Sequence, residues 1–159
     1  MSLPDSLRDD PFSPQRMRAK AMDYLARREH GAAELVAKLI AKDCPAPVAE
    51  SVVSRLVEEN LVSDERYVEA LVNSRRNRGQ GPRRIQQELR DKGITDELIG
   101  AYLDHRDPVW LDSLRQVRIK KFGSKPAIGY KERAKQARFL QYRGFSPDQI
   151  FQVLGGDED

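Results

Sequence analysis

The chain has 159 residues, of which 39% are apolar and 33% charged, with a formal net charge of +3. That balance belongs to a folded rather than a disordered chain, long enough for one ordinary domain or for three small units sharing a continuous core. No apolar run approaches the roughly 18 residues of a membrane span, and the N-terminus lacks the apolar core of a signal peptide, so a soluble cytoplasmic protein without membrane association is expected. The single Cys44 cannot form an internal disulfide and agrees with a reducing compartment.

Residues 1–14 hold Pro4, Pro11 and Pro14 among Asp and Ser without periodicity, and residues 155–159 are Gly-Gly-Asp-Glu-Asp, so both ends are expected to be flexible. From Gln15 to about Glu29 the composition predicts a first helix with Ala21, Met22 and Leu25 inward. His30 and Gly31 stop it, and Ala32, Leu35, Val36, Leu39 and Ile40 form the stripe of a second amphipathic helix. After Cys44, Pro45, Ala46 and Pro47, a third stripe runs through Val48, Val52, Val53, Leu56 and Val57. These helices make a first unit over 15–62.

The second unit, 63–107, repeats that order. Ser63 or Asp64 caps a helix with Tyr67, Val68, Leu71 and Val72 inward, and Gly79 to Gly81 ends it. Pro82 suits the first helical position and Ile85 with Leu89 mark the buried face. Gly93 suits a left-handed C-terminal turn, and Thr95 caps the helix of Leu98, Ile99, Tyr102 and Leu103. The third unit, 108–154, begins with Trp110, Leu114 and Val117, passes Gly123, Pro126 and Gly129, continues as a basic helix from Tyr130 to Arg143, and ends with a helix opened by Ser146 and Pro147.

The units share a pattern. Leu89, Gly93, Ile94, Thr95, Ile99 and Leu103 return at the same mutual spacings as Leu140, Gly144, Phe145, Ser146, Ile150 and Leu154, an internal repeat of about 50 residues. A fainter first copy carries Leu35, Leu39, Val48, Val52, Val53 and Leu56. The expected fold is therefore all-α, three tandem three-helix repeats in an elongated, curved helical stack.

Charge separates the copies. Residues 1–64 hold nine Lys or Arg against eleven Asp or Glu, residues 75–92 seven against two, and residues 115–143 ten against Glu132 alone. Arg75, Arg76, Arg78, Arg83 and Arg84 bracket the loop Gly79-Gln80-Gly81 at a helix start, where free backbone N–H groups and guanidinium forks suit an anion, although a turn with solvated arginines is the plain alternative. Lys120, Lys121, Lys125, Lys131, Arg133, Lys135, Arg138 and Arg143 lack the interspersed acids of an ordinary solvated helix face and point to a nucleic-acid or acidic-protein contact. Phe122, Tyr130, Phe139 and Tyr142 fall at spacings that core packing explains more readily than base stacking.

Enzyme chemistry has no foothold. His30 and His105 are isolated, no pair has metal-ligand spacing, and the Gly79-Gln80-Gly81 loop lacks the longer glycine pattern and Lys-Ser/Thr of a nucleotide loop. No catalytic residue, metal or cofactor is expected.

The motifs Tyr24-Leu-Ala-Arg-Arg-Glu-His30 with Glu34-Leu35 and Lys38-Leu39, Asp64-Glu-Arg-Tyr67, Gly79-Gln-Gly-Pro-Arg-Arg-Ile85 and Glu88-Leu-Arg-Asp-Lys-Gly-Ile94 together resemble the RecX family of recombinase regulators. Lys120-Lys-Phe-Gly123, Lys135, Arg138-Phe-Leu140 and Arg143-Gly-Phe145 extend the resemblance over about residues 17–154. One departure is Lys42-Asp43-Cys44-Pro45, where the family usually has a Lys-Gly turn. The resemblance implies a non-enzymatic, monomeric negative regulator that binds the RecA filament on single-stranded DNA. It would limit filament extension, strand exchange, ATP hydrolysis and assisted LexA cleavage in recombinational repair and the SOS response. The basic residues would contact RecA, or DNA held by the filament or bound directly. The competing class is an autonomous DNA-binding protein acting without RecA, with a recognition helix bearing Gln86, Gln87 and Arg90.

Overall fold

The structure, a computed structural model, describes residues 10–155. Nine helices occur among them: α1 (Pro14–Arg27), α2 (Ala32–Ala41), α3 (Ala46–Glu58), α4 (Asp64–Asn77), α5 (Pro82–Asp91), α6 (Asp96–Tyr102), α7 (Val109–Phe122), α8 (Tyr130–Tyr142) and α9 (Pro147–Leu154). No strand occurs among the described residues, and none of the helices is long and apolar enough to cross a membrane. The expected mobile termini fall partly outside the described residues. Within them, residues 10–13 form a turn in which the Phe12 amide donates to Asp10 Oδ1 at 2.8 Å and the Phe12 ring rests on the first core.

Local chemistry sets the helix starts. Ser13, Ser63 and Thr95 accept from first-turn amides of α1, α4 and α6 at 3.2 to 3.3 Å, and Ser146 with Gln149 completes a reciprocal capping box on α9. Asp64, the alternative cap for α4, instead accepts from the Ala32 amide of α2 at 2.8 Å. The three expected turns between the second and third helices of each repeat are superposable in kind: Asp43, Gly93 and Gly144 all take positive φ, at 71°, 80° and 104°. Each is followed by a buried anchor, Cys44, Ile94 or Phe145.

The chain forms two compact bodies. The first comprises residues up to Val68 together with Lys92–Ile94. Here α3 packs on α1 and α2, and the core is Met17, Ala21, Leu35, Leu39, Cys44, Ala49, Val52, Val53, Leu56 and Val62. The second comprises Glu69–Asp91 and residues from Thr95 on, with α7, α8 and α9 mutually packed and Ile85, Leu89, Trp110, Leu114, Leu140 and Phe145 among its buried side chains. Met22, Ile40, Val57 and Tyr102, expected on buried stripes, are instead exposed. They lie at the stripe edges, beyond the width that the neighbouring helix covers.

A single packing device recurs in both bodies. In the first, Gly31, before α2, sits so close to Tyr67, Asp64 and Ile94 that an added Cβ would lie 3.2 to 3.4 Å from them, and Gly93 meets Ala33. In the second, Gly81, before α5, stands against the backbone of Gly144 and Phe145, where an added Cβ would come within 2.5 to 2.6 Å. The Gly81 amide donates to the Arg143 carbonyl at 2.7 Å and the Arg83 amide to the Gly144 carbonyl at 3.0 Å. The start of each middle helix thus docks on the turn of the following repeat, and the glycines permit the backbones to meet.

Candidate functional site

The docking of α5 bears directly on the first basic run. The N–H groups expected to receive an anion around Gly79-Gln80-Gly81 are all committed: Gly79 and Gln80 donate to the carbonyls of Arg76 and Arg75, Gly81 and Arg83 donate to those of Arg143 and Gly144, and Pro82 has none to give. Of the five arginines, Arg75 is used internally: its Nε donates to both carboxylate oxygens of Glu88, at 2.9 and 3.1 Å, and the pair is only a quarter to a third exposed. Arg84 lies 5.5 Å over the Tyr142 ring. Arg83 borders a second depression with His105, Arg106, Asp148 and Gln149.

The remaining two, Arg76 and Arg78, line a cleft of about 470 Å³ in the second body. Its other walls are Asn77 and Gly79 of the same segment, Ser113, Gln116, Val117, Lys120 and Lys121 of α7, and Phe139 with Arg143. Five cations converge there without one acidic side chain among the lining residues. Gly79 makes the narrow floor possible: its φ is +85°, and an added Cβ would meet Val117 at 3.0 Å. Arg143 bridges the walls, donating from Nη1 to the Arg78 carbonyl at 3.3 Å.

Aromatic rings hold two of these cations without neutralising them. Lys121 Nζ and Arg143 Cζ lie 5.5 and 5.2 Å from the Phe139 centroid, and Phe139 meets Phe122 edge to face at 5.4 Å. Lys135 reaches the Phe122 ring at 6.0 Å. The two phenylalanines are half-buried as core packing required, but Tyr130 and Tyr142 are 72% and 76% exposed, contrary to the expectation of core roles for most of these rings.

The other expected site residues are placed apart from the cleft lining. Lys125, Lys131, Lys135 and Arg138 are exposed, and Arg133 borders an apolar groove between α8 and α9 with Tyr130 and Phe151. Sequence reasoning missed Asn77, Ser113 and Gln116, which add neutral donors to the cleft. Ser113, Gln116 and Lys120 recur at helical spacing, which was their signal. It also missed why Glu132 leaves its basic neighbours unpaired in charge. Glu132 accepts from buried Gln136, which in turn accepts from Arg118 Nε at 2.8 Å, while Arg118 Nη2 reaches the Lys125 carbonyl at 2.6 Å.

No group of three or more His, Cys, Asp or Glu is placed to hold a metal among the described residues. His105 is half-buried, and burial, reinforced by Arg83, lowers its pKa below 6.5. Burial raises the pKa of the Cys44 thiol.

Comparison with known proteins identifies the three repeats. The first, second and third three-helix domains of RecX match residues 18–56, 63–103 and 111–154 respectively. The chain belongs to the RecX family of regulatory proteins. It is 40% identical to the regulatory protein RecX of Pseudomonas syringae pv. tomato over 91% of this chain and 93% of that one, and 43% identical to that of Pseudomonas fluorescens over 88% and 90%. RecX from Lactobacillus salivarius shares the fold, with a TM-score of 0.72 at 23% identity over 89% of this chain and 96% of that one. A second crystal structure of a regulatory protein RecX gives 0.70 at 24% identity, covering 96% of this chain and 78% of that one. Membership of the RecX family carries the all-α fold of three tandem three-helix repeats and a regulatory, non-enzymatic role.

Proposed function

We propose that this protein is a negative regulator of the RecA recombinase, acting in the cytoplasm as a monomer. It binds the RecA filament on single-stranded DNA and limits filament extension, strand exchange, ATP hydrolysis and LexA cleavage. The observation that carries this reading is the acid-free cleft lined by Arg76, Arg78, Lys120, Lys121 and Arg143, two of which, Lys121 and Arg143, lie against the Phe139 ring rather than a carboxylate. Such a site attracts phosphate or an acidic protein surface, and a filament of RecA on DNA presents both.

The autonomous DNA-binding reading is less well supported. A recognition helix inserts its N-terminal residues among base edges. On α5 that end is docked on the Gly144 turn, Gln87 donates to Asp91 at 2.9 Å, and Arg90 pairs with Asp96 at 2.8 Å. The test is RecA ATPase on single-stranded DNA with substoichiometric amounts of this protein added. A progressive fall in rate is expected; a rate that stays flat at all ratios overturns the proposal. Sequence-specific duplex binding without RecA would favour the alternative.

A further inference from the structure

A buried polar cluster in the first body has no part in the cleft. His30, 1% exposed, lies in the connection between α1 and α2. Its Nδ1 lies 3.1 Å from the Arg28 carbonyl, so Nδ1 must carry the proton and donate, leaving Nε2 as a bare acceptor. Lys38 Nζ, on α2, donates to that Nε2 at 2.8 Å and sits 4.9 Å over the Tyr24 ring, which is itself 5.8 Å from the imidazole. Beside them Glu34, almost fully buried, is taken by Arg28 through two hydrogen bonds of 2.9 and 3.0 Å and by Lys92 at 3.2 Å.

Glu34 is thus committed to Arg28 and Lys92, while Lys38 has a neutral imidazole for its partner. Its pKa is lowered by burial first and then by Arg28, against an opposing contribution from Glu34. Arg27 and Lys92 add to the positive field on the amine. Yet Lys38 is only partly covered, so a small reagent reaches it. A lysine amine that is partly desolvated, surrounded by cations and hydrogen-bonded to a base has the features of an activated nucleophile.

We propose that Lys38 is an acyl-acceptor site, modified by small acyl phosphates with His30 as the proton acceptor. The free Nζ amine attacks the acyl carbon of the donor, the N–C bond forms, and the C–O bond to phosphate breaks with inorganic phosphate leaving. The proton released from nitrogen passes to His30 Nε2 and from there to solvent. The product amide has lost the ammonium charge, keeps a single N–H and carries an added acyl group, so acylation rewrites the contact of Lys38 with His30 and Tyr24.

The test uses the full chain and acetyl phosphate at limiting dose, pH 7.5, with the modified fraction at each lysine read by peptide mass spectrometry. Lys38 is expected to react several-fold faster than exposed Lys42 and Lys131, and the ratio is expected to fall towards one as the pH rises far enough to deprotonate every lysine. His30→Gln is expected to remove the lead of Lys38. A ratio near one at pH 7.5, or a lead unchanged by pH, overturns the proposal using the unsubstituted protein alone, so it stands or falls even if the variant does not fold.

Discussion

Asp43 shows what the repeat demands of single residues. It occupies the turn that Gly93 and Gly144 occupy in the later repeats, at φ 71°, and its amide donates to the Ile40 carbonyl at 2.9 Å while that of Cys44 donates to Leu39 at 3.1 Å. An L residue there costs roughly 1 to 2 kcal/mol, which Asp tolerates better than most. The position is exposed, whereas Gly144 receives the start of α5 and an added Cβ would lie 2.5 Å from Arg84 Cβ. The substitutions should therefore act in opposite senses: Asp43→Gly is expected to stabilise by about 0.5 to 1 kcal/mol and Gly144→Ala to destabilise by about 2 to 4 kcal/mol, measured by urea denaturation. His30 and Glu34 supply a second residue-scale prediction. Burial lowers the His30 pKa below 6.5, so the folded state prefers the neutral ring; that contribution is complete above pH 6.5 and is lost as pH falls through the lower folded value. Burial alone would raise Glu34, but Arg28 and Lys92 outweigh it and hold its pKa below 4.5, so its contribution is present above 4.5 and lost below. Both signs agree, and His105 adds to the first step. The melting temperature should fall as pH drops below 6.5, and His30→Gln should flatten the slope between there and the Glu34 region.

Among the helices, what the sequence revealed was what is local. Thr95 and Ser146 mark helix starts because each accepts from an amide within one turn of itself, and Pro82 does so because its fixed φ and missing N–H suit the first helical position. The stripes of Leu35, Leu39, Ile85, Leu89, Leu114 and Leu140 were readable because every one faces a core. What was not readable depends on distant partners. Gly31 and Gly81 read as helix stops, but their closeness to Ile94 and Phe145 follows only once the repeats are packed. The same holds for Arg75, whose consumption by Glu88 depends on two helices folding back across the Gly79–Gly81 loop. A prediction at this scale concerns Leu89 and Leu140, both fully buried at matching positions of their repeats. Replacing either by Ala should cost about 2 to 5 kcal/mol, and an unchanged melting curve would remove that residue from the core.

Across the whole molecule, the described residues of the first body hold ten Lys or Arg against ten Asp or Glu, and those of the second hold seventeen against ten. The excess charge therefore belongs to the second body, and its cleft gathers residues from both basic runs that are far apart in sequence. Sequence counts located the cations but could not divide them into those spent on structure and those left for a partner, because that division rests on Glu88, Tyr142 and the Phe139 ring arriving from other elements. Two sets of substitutions should now separate. Arg75→Ala leaves Glu88 partly buried without its guanidinium and should lower the melting temperature while sparing filament affinity. Replacing Arg76, Arg78, Lys120 and Lys121 by Ala removes no such ion pair and should leave melting nearly unchanged. It should weaken binding to RecA filaments on single-stranded DNA and flatten the dependence of log affinity on log salt, by roughly 0.7 per lost phosphate contact if the strand itself is touched. A fall in affinity for the filament with unchanged affinity for single-stranded DNA alone would instead assign the cleft to an acidic surface of the protein partner, whose attraction salt also screens. Unchanged affinity would leave the cleft without a role in the filament and return the question to the exposed face of Lys131, Arg133, Lys135 and Arg138.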